Sequence, residues 1–579
     1  MEKFWWDAYL YQEEPLPINT NPCFVLEDDP GHGGADQISR ATSLSMSTLK
    51  LVREIRLESF APDMVKTTPL SMDQYETIFG SARLPSAGRD KVITDHKSTH
   101  IVVLCRGQAY YFDCIAEDGS VAITAIEFAN NLNVIKANAE NLLDEEIANQ
   151  AVGIFTAGNR STWAEMRERM CRLPGNQESL DVIDSALFIL CLDSVETKAL
   201  SESFRNTLHG TTTLTGDSES EVETGTCISR WFDKMQLVVS EDGTAGVVWE
   251  HSIWDGHSIL RLFSDVMTDA YVKFAQQISG KNRVKAHVQS KRVDPEDLEN
   301  LDLHLLPRKL NFVLDDKVKK KLSECSIQVS KNIKSLHSLV LDYDVFGSTL
   351  MKGNGFSPDA FVQMAMLCTF YNIQGFIPNQ YEAVMTKAFK NGRTEAGRAA
   401  TLAALDWCRA FNDTDLEDSK KLELLKVAAK AHSLMTRRCA MGQGVDRHLY
   451  ALKCIWQKQH EGVASVKPPA IFDTPGYKKL GVSLMSTSNC GNAALRCFGF
   501  GPVAEEGVGI GYMIREYGIN FSITSWVVSP EKFREELSIY LNQVYYMMYG
   551  QHGENMEKTL SENPPKKNKK KALVGETLR

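Results

Sequence analysis

Glu250-His251-Ser252-Ile253-Trp254-Asp255-Gly256 is the stretch on which the reading of this chain turns. Upstream of it, Met235 to Val239 and Ala245 to Glu250 flank Glu241-Asp242-Gly243, a hairpin signal. Downstream, Ile259, Phe263, Val266, Ala270 and Phe274 recur at i, i+4, i+7 and mark one face of a helix from Ser258 to Gln277. A His at a strand end, followed by an Asp and a Gly before a helix, can point into a cleft. The turn can then bring the carboxylate back to orient its ring, leaving the imidazole to act as a general base on a hydroxyl or thiol. Taken alone, H-x-x-x-D more often marks a buried His with a satisfied hydrogen bond.

Working outward, the chain reads as mixed α/β. His100 to Cys114 forms two strands around Arg106-Gly107-Gln108, and Ala186 to Leu192 a short buried strand. Ile519 to Trp526 alternates Ile519, Phe521, Ile523 and Ser525 on one face. Ser357-Pro358-Asp359 opens a helix, with Ser at N-cap, Pro at N1 and Asp at N2 answering the unpaired N–H groups and the dipole. Lys387 to Ala429 reads as largely helical, and the Thr/Ser/Glu/Gly-rich segment Asn206–Thr226 as a loop. The polar stretch Lys281–Glu299 marks a boundary, which divides the chain into 1–295, 296–556 and a basic, disordered tail 557–579 containing Lys566-Lys567-Asn568-Lys569-Lys570-Lys571. The first thirty or so residues are expected to pack on the second unit.

Composition narrows the classes. The 579 residues are 43% hydrophobic and 24% charged, the balance of a folded globular chain, with length for more than one core-sized unit. A net charge of −10 gives no global field for nucleic acid. Thirteen Cys without a C-x-x-C pair argue against a disulfide framework and a Cys-based zinc site, and favour a reducing compartment. Apolar runs fall far short of a bilayer span, and Met1-Glu2-Lys3-Phe4-Trp5-Trp6-Asp7 has neither an Arg-rich transit character nor a secretory core.

Three further clusters carry chemistry. Ser486-Thr487-Ser488 follows a strand and offers hydroxyls to a developing oxyanion. Gln380-Tyr381-Glu382 with Gly392-Arg393-Thr394-Glu395, and Val445-Asp446-Arg447-His448-Leu449, supply a phenol, a hydroxyl and guanidinium groups suited to a carboxylate. Each alone would pass for a polar surface. In this order, together with Asp36-Gln37-Ile38-Ser39-Arg40-Ala41-Thr42, Ser81-Ala82-Arg83-Leu84-Pro85, Asp184-Ser185-Ala186-Leu187-Phe188, Arg230-Trp231-Phe232-Asp233-Lys234 and Phe500-Gly501-Pro502-Val503, they make the chain resemble the choline/carnitine acyltransferase family from about Trp5 to Tyr549. The resemblance points to its mitochondrial carnitine palmitoyltransferase branch.

The resemblance implies two pseudo-symmetric α/β domains like chloramphenicol acetyltransferase, with an active-site tunnel at their interface. It implies reversible transfer of a fatty acyl group between CoA and L-carnitine, as in fatty acid metabolism, with CoA and carnitine as substrates and no bound cofactor or metal. His251 is then the general base, Asp255 orients it, and Ser488 stabilises the oxyanion. Tyr381, Thr394 and Arg447 hold the carnitine carboxylate, and Trp5, Tyr9, Ser486 and Phe500 complete that pocket. Choline has no carboxylate, so Thr394 and Arg447 favour carnitine. Lys352, Ser357 and Asp359 fall on the CoA-binding segment, where Ser348, Gly353 and Gly355 stand in place of lysines and imply weaker phosphate contact. The resemblance also implies a monomer in mitochondria with peripheral membrane association; the visible N-terminus instead reads as cytoplasmic if Met1 is the true start.

Phe498 departs from the long-chain pattern. Long-chain members have Gly there, and a Phe fills volume that otherwise admits methylenes, so palmitoyl-type and shorter-chain readings both stand at this point. Relatives also carry a longer segment ahead of Trp5. Beside the active enzyme stand two alternatives: a different CoA-dependent alcohol acyltransferase, and a degenerate, truncated paralogue that binds acyl-CoA without turnover.

Overall fold

The computed structural model describes all residues except 32–35, 216–221, 279–302, 462–465 and 551–579. The boundary expected at Lys281–Glu299 and the basic tail lie outside the described residues. Two large sheets dominate. The first runs Arg308–Leu310, Gln108–Asp113, His100–Cys105, Ile189–Leu192, Gln236–Val239, Ala245–Val248, Cys23–Leu26 and Leu495–Gly499. The second runs His337–Tyr343, Ile519–Ser525, Val508–Ile514, Met485–Asn489, Gln380–Met385 and Thr394–Gly397. Both are mixed: Ile189–Leu192 is parallel to both its neighbours, and Met485–Asn489 to both of its own.

The hairpin ahead of His251 forms as read, with Gln236–Val239 antiparallel to Ala245–Val248 and Gly243 at φ 77° in the turn. The helix after it spans Gly256–Ile278 and buries Ile259, Leu262, Phe263, Val266 and Met267, each worth roughly 1.5–3 kcal/mol of transfer from water. Phe274 is only half-buried. This helix packs with Gln37–Arg56 over the first sheet. Helices Pro358–Gln374, Asp418–Ala440 and Pro530–Gly550 enclose a separate core against the second.

The strand Leu495–Gly499 joins the two sheets. It closes the edge of the first beside Cys23–Leu26, with Phe24 opposite Phe498, although it comes from the second half of the chain. It also lies against the second sheet, where Ser522 Oγ donates to the Phe498 carbonyl at 2.8 Å and Thr524 Oγ1 to the Phe500 carbonyl at 2.8 Å. A Cβ on Gly511 would come within 2.3 Å of that Phe498 oxygen, so only glycine permits the approach. Ile519–Ser525 is therefore buried on both faces rather than one. Its polar face, with Ser522 and Thr524, serves the crossing strand.

Four local readings need correction. Asn206–Thr226 is not all loop: helix Leu200–His209 takes in Asn206 and buries Phe204 and Leu208, and the short strands Leu214–Thr215 and Val222–Glu223 pair beyond it. Lys387–Ala429 holds the strand Thr394–Gly397, and its helices are Leu402–Asn412 and the first part of Asp418–Ala440. The strand within Ala186–Leu192 begins only at Ile189. Ser357 is the N-cap of Pro358–Gln374, but its side chain makes no capping hydrogen bond. All thirteen cysteines are free, and no helix among the described residues is long and apolar enough to cross a membrane.

Candidate active site

The strand Ala245–Val248 delivers Trp249, Glu250 and His251 to one tight turn. Fully buried Glu250 shapes it: Oε2 accepts from Ser252 N at 3.0 Å, Ser252 Oγ at 2.6 Å and Ile253 N at 3.3 Å. Oε1 accepts from Arg83 at 3.1 Å, which compensates the buried charge. The turn then places the Trp254 carbonyl 2.9 Å from His251 Nδ1. A carbonyl can only accept, so Nδ1 carries the proton and Nε2 keeps its lone pair. Burial lowers the His251 pKa below its ordinary value, and the Arg393 cation adds to this against the opposing Asp255 charge. The ring is a neutral base.

The carboxylate of Asp255 does not take the ring proton, contrary to the orienting role expected of it. Its Oδ2 accepts from Arg393 Nε at 2.8 Å and Gln74 Nε2 at 2.9 Å. Gln74 Oε1 in turn accepts from Asp255 N at 2.9 Å and Ser258 Oγ at 2.8 Å, which ties the start of the helix down. Asp255 thus acts on His251 through its charge and through the backbone. Arg393 reaches further: Nη1 donates to the Ser252 carbonyl at 2.7 Å and Nη2 to the His251 carbonyl at 2.9 Å. One guanidinium from the second half of the chain grips the His251 turn at three points. In the sequence Arg393 reads only as a partner for a carboxylate, and Gln74 carries no signal there.

A cavity of about 1310 Å³ opens on His251. Ser486, Thr487 and Ser488 all line it from the strand Met485–Asn489, and the Thr487 hydroxyl donates to the Tyr381 carbonyl at 2.9 Å. On the same wall are Tyr381, Thr394 and Arg447. Arg447 Nη2 donates to Tyr381 Oη at 3.3 Å and Nε to the Thr394 carbonyl at 3.3 Å, and the Tyr381 and Thr394 hydroxyls lie 3.5 Å apart. A guanidinium flanked by two hydroxyls suits a carboxylate. Tyr9 also lines the cavity, its ring edge-on to His251 at 5.6 Å, and Phe498 and Phe500 form an apolar side. Trp5 is absent from the wall and stacks behind it on Arg393 and Arg447. A base, hydroxyl donors and an anion site thus share one chamber.

The family model for Choline/Carnitine o-acyltransferase matches residues 1–543. The chain belongs to the choline/carnitine acyltransferase family. It is 37% identical over 558 residues to a Saccharomyces cerevisiae protein named as a candidate mitochondrial carnitine O-acetyltransferase, covering 91% of this chain and 80% of that one. It is 30% identical to the mitochondrial carnitine O-palmitoyltransferase 2 of Bos taurus, covering 90% and 78%. Against the carnitine O-acetyltransferase of Mus musculus it is 28% identical, covering 97% and 84%. This acyltransferase is therefore built on the two-sheet α/β plan that its family implies.

The residues expected to contact CoA in this acyltransferase are not on the cavity wall. Lys352 and Ser357 are exposed at the surface. Asp359 Oδ1 accepts from Tyr512 Oη at 2.7 Å and from Asn489 Nδ2 at 3.1 Å, and Asn489 does line the cavity. Asp359 therefore connects to the chamber through Asn489, beside Ser488.

Proposed function

We propose that this acyltransferase exchanges acyl groups reversibly between CoA and L-carnitine. The observation that carries this reading is the sharing of one cavity by His251, with Nδ1 already committed to a carbonyl, and the Arg447–Tyr381–Thr394 cluster. Carnitine presents a carboxylate near its hydroxyl, so the cluster would fix one end while His251 Nε2 takes the hydroxyl proton. The alkoxide attacks the thioester carbonyl, and Ser488 donates to the resulting oxyanion. The intermediate expels CoA as its thiolate, which takes the proton from His251, and the acyl ester remains on carnitine. The positive trimethylammonium group offsets part of the oxyanion charge. Lys352 and Asp359 belong to the proposed CoA approach, Lys352 by its positive charge and Asp359 by its hold on Asn489.

The acyl preference we propose is for short chains. Phe498 is buried, with its ring 5.5 Å from Phe24 and 5.7 Å from Phe500 on the apolar side of the chamber. Its volume stands where an acyl chain would extend. The 37% identity to the yeast acetyltransferase relative supports the same reading. The relatives named as mitochondrial support a mitochondrial site of action, which imaging of a C-terminally tagged chain would test.

The deciding experiment is thiol release from acetyl- through palmitoyl-CoA with carnitine or choline as acceptor and His251→Ala as control. Carnitine-dependent release that is highest with short acyl groups and lost in the variant is expected. A folded chain that binds acyl-CoA without release would replace the reading with a non-catalytic paralogue.

A further inference from the structure

The N-terminal helix Glu2–Leu10 straps the two halves of the molecule together. On one side, Asp7 pairs with Arg89 at 2.9 Å, and the Tyr9 carbonyl accepts from Arg83 at 2.9 Å, the same arginine that holds Glu250. On the other, Glu2 accepts from Asn391 Nδ2 at 3.0 Å and the Phe4 carbonyl from Tyr450 Oη at 3.2 Å. Between these ties sits Trp5. The Cζ atoms of Arg393 and Arg447 lie 4.9 and 4.8 Å from its ring centroid, within cation–π range.

The two arginines have different tasks. Arg393 grips the His251 turn through two carbonyls and Asp255. Arg447 belongs to the anion site and donates to the carbonyl of Thr394, the residue next to Arg393. The Arg393 guanidinium has a carboxylate partner at 2.8 Å, whereas the Arg447 guanidinium meets Asp446 only at 3.8 Å, Glu395 being held by the Arg447 backbone N–H instead. Two like charges held near each other repel, and the shared indole attracts both at closer range than the Tyr9 ring, 6.0 Å from Arg393, or the Tyr381 ring, 5.8 Å from Arg447. The indole Nε1 is itself buried without a hydrogen-bond partner, so the ring is held by stacking and packing rather than by a polar anchor.

We propose that Trp5 is a positioning residue that couples the anion site to the general base. The indole fixes the spacing of Arg447 and Arg393, so a carboxylate drawn onto Arg447 is registered against the turn that aims His251. This rests on the roles given above to His251 and Arg447. It assigns Trp5 an effect on turnover, beyond that of an aromatic wall for substrate.

Steady-state kinetics of Trp5→Leu and Trp5→Phe, with and without Arg393→Lys, test it. Trp5→Leu is expected to lower kcat with carnitine by roughly tenfold, the scale of a lost pair of cation–π contacts, while Trp5→Phe keeps most of the rate. In the double variant Trp5→Leu/Arg393→Lys the losses should not multiply, because both changes release the same turn. A rise in KM alone with kcat intact, or multiplying losses, would overturn the coupling. Should Trp5→Leu fail to fold, the cycle of Trp5→Phe with Arg393→Lys decides by the same criterion. His251→Ala is run in parallel; if it retained kcat, the base assignment itself would fall, and that outcome is separable from the behaviour of the Trp5 variants.

Discussion

His251 Nδ1 and the Trp254 carbonyl oxygen lie 2.9 Å apart, and this contact fixes the basic nitrogen of the site as Nε2. Burial and the nearby Arg393 charge keep the ring below its ordinary pKa, while Asp255, the Trp254 carbonyl and Glu250 pull the other way. The neutral base therefore persists to lower pH than a free imidazole would. The acid limb of kcat/KM is expected below the usual imidazole range. Removing the cation with Arg393→Gln takes away a lowering influence, so the limb moves to higher pH as the rate falls. Losing hydrogen bonds from a charged group, at about 1.5–3 kcal/mol, predicts a tenfold to hundredfold lower kcat. A pH–rate profile of both proteins checks the limb, and an unmoved limb in the variant would remove Arg393 from the electrostatics of the base.

Arg447 should set the choice of acceptor. With Tyr381 and Thr394 it presents donors to a carboxylate that choline lacks. Arg447→Asn is expected to raise KM for carnitine about tenfold to hundredfold, the worth of one charge-assisted contact, and to leave the weaker reaction with choline nearly unchanged. Competition between the two acceptors measures the narrowing directly. Equal losses for both would mean that Arg447 supports the fold of the chamber and reads no carboxylate.

His209 offers a test of stability. Burial pushes its pKa down to about 4, with Nδ1 against the Gly210 carbonyl and Nε2 buried without a partner. The unfolded chain binds this proton near pH 6.5, whereas the folded chain resists it until about pH 4. Stability from this residue is thus fully present above the unfolded value. It declines as pH falls through that window, by on the order of 3 kcal/mol in all, and is constant below it. Thermal unfolding followed from pH 7 to pH 4 should show a fall in Tm that His209→Gln lessens. An identical pH dependence in both proteins would exclude His209 as the source.

What the sequence made legible, and what it did not, follows contact distance. His251 and the strand and helix around it were readable because hairpin chemistry and helical periodicity are local. The sheet order was not, because Leu495–Gly499 pairs with Cys23–Leu26 across most of the chain. Arg393 and Gln74 act on the turn from 142 and 181 residues away, and no local pattern encodes such a reach. Asp255 shows the converse: the spacing placed it beside His251, but the arginine and amide arriving from elsewhere claimed its oxygen. Asn206 reads as loop from the composition of its segment, but the buried Phe204 and Leu208 face holds it in a helix.

Phe498 carries the last prediction. It lies opposite Phe24 in the strand pairing, and its ring joins Phe24 and Phe500 on the apolar side of the chamber. Phe498→Gly removes the ring without breaking the ladder, because the Ser522 hydroxyl bonds the backbone carbonyl at this position and not the side chain. The freed volume should admit added methylenes, each worth about 0.8 kcal/mol when buried, or roughly fourfold in kcat/KM. The chain-length optimum is therefore expected to move from short acyl groups toward medium and long ones. A cavity left in a packed cluster costs about 3–5 kcal/mol, so a lower Tm should accompany the change. The acyl-CoA panel run on both proteins separates the two effects: the profile reports the chamber and the melting curve the packing. A variant with lower Tm and an unchanged profile would show that Phe498 packs the core without limiting the acyl chain.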